Sequence, residues 1–309
     1  MTGRRTLSIG LTLAALLVSA AVVGPAATAE IPGQTPYPAQ KVQELFTAAQ
    51  TATTDGVLND YFAPGSAVLF RAYAVDGKTH KILAGKDVKY FYVTIPNQPN
   101  VKLKYDPKAQ GATALLPWTG TWTVPGNYPG GLVDFKVFVK TTTKRHGQYV
   151  QFPVPASQLT VTTSPPAVLS PAPTATAAAP LNGTVDVSLY VDTVNGTRPP
   201  AAAPRPIGCT QTNVFKRGEQ LVVRAWGADM ATSDVLSSEN VESATASITG
   251  QPNLTLTWGA HGGTSKVYYW TAPWNIPSDY PLGQLTVHVV YKTDSGKTGT
   301  LDYPVVIIP

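Results

Sequence analysis

Cysteine is almost absent: Cys209 stands alone in 309 residues, so no disulfide can close within one chain and a disulfide-stapled fold is excluded. Charge is scarce too. Charged side chains make up 13% of the chain against a usual ~25%, too few to clothe long solvated helices. The 18 acidic residues do not recur as matched pairs between the two halves of the chain, so a glycosidase-type carboxylate pair has no support. There is no G-x-S-x-G elbow, H-E-x-x-H, phosphate loop or dinucleotide fingerprint, and no Ser or Cys stands with a base and an orienting group. We expect no catalytic residues and no enzyme. After Glu30 no apolar run approaches the ~18 to 20 residues that cross a bilayer, and the chain stops at Pro309 with no hydrophobic tail.

Proline is abundant instead, with 28 residues, roughly 9% against a normal ~5%. The formal net charge is +5, and loss of Arg4 and Arg5 with a leader leaves +3. Without a concentrated basic stripe, nucleic acid is not an expected partner. The first residues read as an export signal: Arg4-Arg5, an apolar stretch from Leu7 to Val23, then Ala27-Thr28-Ala29 ahead of Glu30. Residues 1–29 are therefore expected to be removed. Arg4-Arg5-Thr6-Leu7 partly matches a twin-arginine signal, with Gly3 where Ser or Thr is usual, so the general secretory and twin-arginine routes both stay open. No cysteine follows the leader to carry a lipid. The expected product is secreted, extracellular or held non-covalently to the cell envelope, with no transmembrane anchor once the signal is cut.

The sequence repeats itself. Trp118-Thr119-x-x-Trp122-x-x-Pro125-x-x-Tyr128-Pro129-x-Gly131 recurs as Trp270-Thr271-x-x-Trp274-x-x-Pro277-x-x-Tyr280-Pro281-x-Gly283 at an offset of 152. Upstream the offset is 153: Phe62, Gly65, Arg71 and Ala72 match Phe215, Gly218, Arg224 and Ala225, and Gln98-Pro99-Asn100 matches Gln251-Pro252-Asn253. One single-residue gap reconciles the two. Between the copies, residues 164–180 are a Pro/Ala/Thr-rich stretch with almost nothing to bury. It reads as a linker, extended for at most ~50 Å at about 3.1 Å per residue.

Within each copy the apolar residues alternate in short runs cut by Gly, Pro and Asn, which predicts strands. The runs are Val68–Val75, Val88–Ile95, Val101–Tyr105, Leu132–Lys140, Gln148–Phe152 and Gln158–Thr162 in the first copy. In the second they are Thr184–Val191, Leu221–Trp226, Val241–Ile248, Leu254–Trp258, Val267–Trp270, Leu285–Tyr291 and Thr298–Ile308. Six or seven strands per copy without alternating helices predict an all-β chain of antiparallel sandwiches. Only Ala39–Thr51, with Val42, Leu45 and Phe46, reads as a short helix.

The Phe-x-x-Gly turn before an early strand and the Tyr-Pro-x-Gly turn before a late one are shared by both copies. In these the chain resembles the bacterial immunoglobulin-like and fibronectin type III-like modules of secreted and surface proteins. The resemblance implies two tandem immunoglobulin-like sandwich domains, residues 30–163 and 181–309, joined by the linker and used for spacing, adhesion or substrate presentation. The inter-sheet cysteine pair of antibody domains is missing.

Few side chains stand out as functional candidates. Residues four apart on a strand share a face, so Trp118 with Trp122 and Trp270 with Trp274 suit either the core or an aromatic platform for sugars. We assign Trp118 and Trp270 to the core and keep Trp122 and Trp274 as candidate ligand-binding residues. Arg71 and Arg224, at matching places in apolar strands, are expected to cap a sheet edge or pair with a carboxylate. Tyr128 and Tyr280 are expected to close a strand corner through a hydroxyl-to-backbone bond. No cofactor is expected. The alternative is a metal site at Cys209 and His261, since Cys209, His261, His288 and Met230 match the ligand types of blue copper, although they are strung across at least three elements. The leading expectation is a non-catalytic exported scaffold or adhesion protein whose partner is an envelope or extracellular protein or a polysaccharide. A glycan-binding protein using Trp platforms is the alternative, and a metal or redox accessory protein centred on Cys209 the second. The proline-rich stretch Thr193–Asn213 is the expected specialised surface.

Overall fold

Alternating apolar residues pair into antiparallel ladders through most of the chain. The computed structural model describes residues 44–108, 116–165, 168, 183–196, 209–261 and 267–309. The predicted signal 1–29 and most of the predicted linker 164–180 lie outside them. Among the described residues there is no α-helix, and no helix long and apolar enough to cross a membrane.

The first repeat forms β1 (Leu45–Ala52), β2 (Tyr61–Phe62), β3 (Ala67–Asp76), β4 (Val88–Thr94), β5 (Val101–Lys102), β6 (Lys104–Tyr105), β7 (Trp118–Thr123), β8 (Gly131–Leu132), β9 (Lys136–Thr141), β10 (His146–Val150) and β11 (Thr160–Val161). The second forms β12 (Val187–Asn195), β13 (Val214–Lys216), β14 (Gln220–Asp229), β15 (Val241–Ile248), β16 (Leu254–Thr255), β17 (Thr257–His261), β18 (Val267–Asn275), β19 (Gly283–Thr293) and β20 (Thr298–Ile308). The sheet β1-β3-β7-β6 has its counterpart in β12-β14-β18-β17, and β10-β9-β4-β5 with the small sheet β2-β11-β8 corresponds to β13-β20-β19-β15-β16. β2 and β13 run parallel to β11 and β20, and the other pairings are antiparallel.

In each repeat an aromatic ring from the facing sheet packs on the core tryptophan, from β4 in the first and from β19 in the second. Phe91 packs on Trp118 with ring centres 5.1 Å apart, and Tyr291 packs on Trp270 at 5.7 Å. Trp118 Nε1 donates to Leu83 O at 3.0 Å and Trp270 Nε1 to Leu236 O at 2.9 Å, so each indole satisfies its one polar atom while its ring stays in the core. Tyr280 makes the expected corner bond, its hydroxyl donating to Thr249 O at 2.9 Å.

The expectation of a helix at Ala39–Thr51 is corrected for its described part: Leu45–Ala52 is a strand, buried along its whole length. The misreading has a physical cause. A strand covered on both faces loses the alternation that marks strands, and Thr47, Ala48, Ala49 and Thr51 supply small side chains for two close neighbours. One neighbour is β10, where Gly147 lies so close that an added Cβ would stand 2.7 Å from the Leu45 Cβ. The other is the second repeat.

The repeats touch through the sheet faces that carry β1 with β3 and β12 with β14. Phe46 packs on Trp226 at 4.9 Å, Gln50 Nε2 donates to Val191 O at 2.9 Å, and the Tyr73 hydroxyl donates to Leu189 O. Backbone joins as well, with Ile82 N bonding Gly183 O at 2.9 Å and Val185 N bonding His80 O at 2.8 Å. Where the second repeat has the single strand β20, the first breaks the ladder between β10 and β11. The segment so released, Gln151–Leu159, sends Phe152 against Tyr190, Trp226 and Tyr269 of the second repeat.

Candidate functional site

Two places hold the side chains that could act on a partner: the seam between the repeats and an open groove on the first. In the seam, β12 and β14 pair Asp192 opposite Arg224. Arg224 Nε donates to Asp192 Oδ1 at 2.7 Å and Nη2 to Oδ2 at 2.6 Å, a two-pronged bond. Its remaining nitrogen Nη1 donates to Ser157 Oγ at 2.7 Å, and Ser157 donates to Cys209 O. Tyr190 and Gln211 also donate to Asp192 Oδ2, at 2.8 and 3.0 Å. Burial works against the Arg224 charge, but the Asp192 carboxylate outweighs it and holds the guanidinium pKa above its ordinary value. Asp60 is also fully enclosed, and burial raises its pKa well above the usual carboxylate range; its Oδ2 accepts from Gln211 N at 3.2 Å.

The first repeat lacks this pair. Opposite Arg71 stands Gln50, and the buried Arg71 bonds Gly56 O through Nη1 at 3.2 Å. Burial pulls its pKa down, and the Tyr303 and Tyr190 hydroxyls act against that pull. The expectation that both arginines meet carboxylates or cap an edge therefore holds for Arg224 alone.

Cys209 and His261 both lie beside Tyr269. The His261 ring stacks on Tyr269 with centres 4.2 Å apart, and burial, with the nearby Arg224 charge, lowers its pKa to about 4. Cys209 is exposed in a left-handed turn with φ of 75°. The remaining blue-copper types are elsewhere: Met230 is in the core and His288 bonds Asp302 at 2.5 Å on an outer sheet face. Among the described residues no three His, Cys, Asp or Glu side chains converge to hold a metal ion.

Trp122 and Trp274, the candidate sugar platforms, are each only 6% exposed. Tyr128 and Tyr280 pack edge-on against them at 5.1 and 5.0 Å. Platform stacking needs an open ring face, and neither ring offers one; both fill the corner between sheets.

The groove lies elsewhere, where the chain passes from β5 to β6 around Leu103. It has a volume of about 520 Å³ and is lined by Phe91, Trp118 and Tyr105, whose rings pack together, with Lys89, Tyr90, Tyr92, Lys102 and Lys104 also in its lining. The alternation of β4 puts the Tyr90 and Tyr92 rings on the outer face of the sheet with Lys102, Phe138 and Lys140, opposite Phe91. A bulge in β4 between Val88 and Tyr90 turns Lys89 out of the ladder. Tyr90 is 38% exposed, its ring 5.4 Å from Tyr92 and beneath Lys140 Nζ at 6.0 Å, while Tyr92 stacks on Phe138 at 5.6 Å. Asp87, the carboxylate just before β4, is engaged by Lys81 at 2.8 and 2.9 Å. Among the described residues no Asp, Glu, His, Cys or Ser lines the groove. These residues are invisible in what the copies share. The signal was in what they do not share: at the 153 offset Lys89, Tyr90, Tyr92, Lys102 and Lys104 are replaced by Glu242, Ser243, Thr245, Thr255 and Thr257.

No protein-family model matches the sequence, and no curated protein sequence does. Among solved structures, the chain is similar to SGBP-B of a Bacteroides ovatus mixed-linkage glucan utilization locus, solved with a mixed-linkage heptasaccharide, at 12% identity and a TM-score of 0.20, over 84% of this chain and 44% of that one. It is also similar to BcpA, the major pilin subunit of Bacillus cereus, at 8% identity and a TM-score of 0.22, over 85% and 69%. A third is the C-terminal domain of the Streptococcus agalactiae AgI/II polypeptide BspA, at 6% identity and a TM-score of 0.21, over 85% and 100%. The chain thus spans less than half the length of the SGBP-B chain.

Proposed function

We infer that this is an exported, non-catalytic adhesion protein, made of two immunoglobulin-like sandwiches fused through their seam, that holds its target in the groove of the first repeat. The observation that carries the reading is the groove lining: aromatic side chains, lysines and Asn100, with no carboxylate or imidazole among the described residues to move a proton. Such a surface offers contact area and charge, not chemistry. The side chains that could do chemistry are occupied in the seam, where Ser157, Asp192 and Arg224 bond one another. The leader-like residues 1–29 support export. No cofactor is needed for this role.

The test is retention of the purified protein on washed envelopes and extracellular material of the producing cell. Tyr90→Ala with Tyr92→Ala is expected to abolish retention, while Ser243→Ala with Thr245→Ala, the matching positions of the second repeat, leaves it intact. Equal retention of both double variants would overturn the groove as the adhesive surface.

A further inference from the structure

The two repeats share cores but not surfaces, and the difference is chemically one-sided. Across residues 85–105 the first repeat carries Lys86, Lys89, Lys102 and Lys104 with Asp87 as its one acid; across the matched 238–258 the second carries Glu239 and Glu242 and no base. Backbones correspond through this region. β15 has the same bulge, between Val241 and Ser243, and its extra residue Glu242 is paired with Lys292 at 2.7 Å. In the first repeat the residue matching Lys292 is Lys140, which faces the Tyr90 ring instead. The two copies therefore share a scaffold and differ at one edge, which is an acidic, hydroxyl-lined strip in the second repeat and an aromatic strip flanked by cations in the first.

We propose that this groove binds an acidic polysaccharide, a chain of carboxylated sugars. The identification rests on the groove being the adhesive surface. Three features select this ligand. Tyr90 and Tyr92 stand side by side with Lys102 and Lys140 on the outer face of their sheet at the lip of the groove, and adjacent rings suit a chain of sugar rings, whose C–H faces stack on aromatics. Lysine heads are mobile point charges on long stems, suited to carboxylates repeated along a flexible polymer. Among the described residues no acid lines the groove to repel them, and the neighbouring Asp87 is already taken by Lys81. Nucleic acid is the other polyanion that stacks on rings, but among the described residues no arginine lines the groove to fork onto phosphates, and the leader-like N-terminus directs the chain away from cytoplasmic nucleic acid.

The experiment titrates the purified full chain, leader removed, with a linear polyuronate, a neutral β-glucan, polyphosphate and oligothymidylate by calorimetry at low and high salt. The polyuronate is expected to bind best and to lose affinity as salt screens the lysines. Lys102→Gln with Lys104→Gln, and separately Tyr90→Ala with Tyr92→Ala, each weaken it by about tenfold or more, equivalent to ~1.4 kcal/mol. Thermal melts of the same variants keep a folding defect from passing for lost affinity. Glucan binding equal to or tighter than that of the polyuronate overturns the acidic assignment. Tighter polyphosphate or oligothymidylate binding, or polyuronate binding indifferent to the tyrosines, overturns the sugar assignment. If no saccharide binds while the tyrosine variant still loses envelope retention, this inference fails and the adhesive groove stands; if that variant keeps full retention, the adhesive reading itself fails.

Discussion

At the residue scale, the seam sets two buried arginines in contrasting surroundings. Arg224 has a carboxylate two-pronged against it, and Arg71 has Gln50 in the corresponding place. Removing one member of a buried pair strands the other, so Asp192→Ala is expected to destabilise the protein by about 3–5 kcal/mol, read as the shift in urea midpoint; a shift below about 1 kcal/mol would mean that solvent reaches the pair. Two further seam groups oppose one another in pH. In the folded protein His261 stays neutral down to about pH 4, whereas in the unfolded chain it takes a proton near ~6.5. The unfolded state therefore binds more protons between these values, and stability falls as pH drops through that window. Asp60 acts in reverse. Its folded pKa is raised by burial, so stability is lost as pH rises from about 4 toward the folded value. His261→Gln is expected to flatten the acid limb of a plot of urea midpoint against pH, and Asp60→Asn to raise the midpoint at neutral pH and change little in acid. A lower neutral midpoint for Asp60→Asn would show that the carboxylate is paired after all.

At the element scale, the strands were legible wherever one face met water. Val241–Ile248 and Thr298–Ile308 have the bounds that their alternation predicts, because a half-buried strand must alternate. β1 was not legible, since both its faces are covered and its small residues carry no period. The closeness of its neighbour makes a prediction: a Cβ at Gly147 would stand 2.6 Å from Thr47 Oγ1, and one at Gly299 would stand 2.3 Å from Val187 Cγ1 on β12. Alanine at either position is expected to cost about 1–3 kcal/mol by forcing the outer strand away, whereas Gly126→Ala, with open space around it, leaves the thermal midpoint unchanged. The tryptophans behave likewise. Their spacing of four fixed a common face, and the flanking Tyr128 and Tyr280 decided that the face is interior.

For the whole molecule, the seam makes the two repeats mutually dependent. Phe46, Tyr73 and Phe152 are buried, and each touches Trp226, Leu189 or Tyr190 across the boundary. We expect one cooperative unfolding transition, with near-ultraviolet and far-ultraviolet circular dichroism melting together. Residues 44–165 expressed alone should expose that apolar face and bind a hydrophobic dye. Two separated melts, or a soluble fragment that binds no dye, would show that the repeats fold independently.

Sequence alone determined the all-β class, the duplication, most strand positions and the core placement of Trp118 and Trp270, because each is written in a local period or an internal match. Tertiary structure decided the rest. It took Trp122 and Trp274 out of consideration as platforms, because ring exposure depends on what folds over them. It brought Arg224, Asp192, Ser157 and Cys209 together from distant positions in a seam that no local pattern encodes. It also brought Tyr90, Tyr92 and Lys102, on one sheet, to the lip of a groove completed by Tyr105 of the other, because β4, β5 and β6 meet at an edge only when two sheets have closed upon each other.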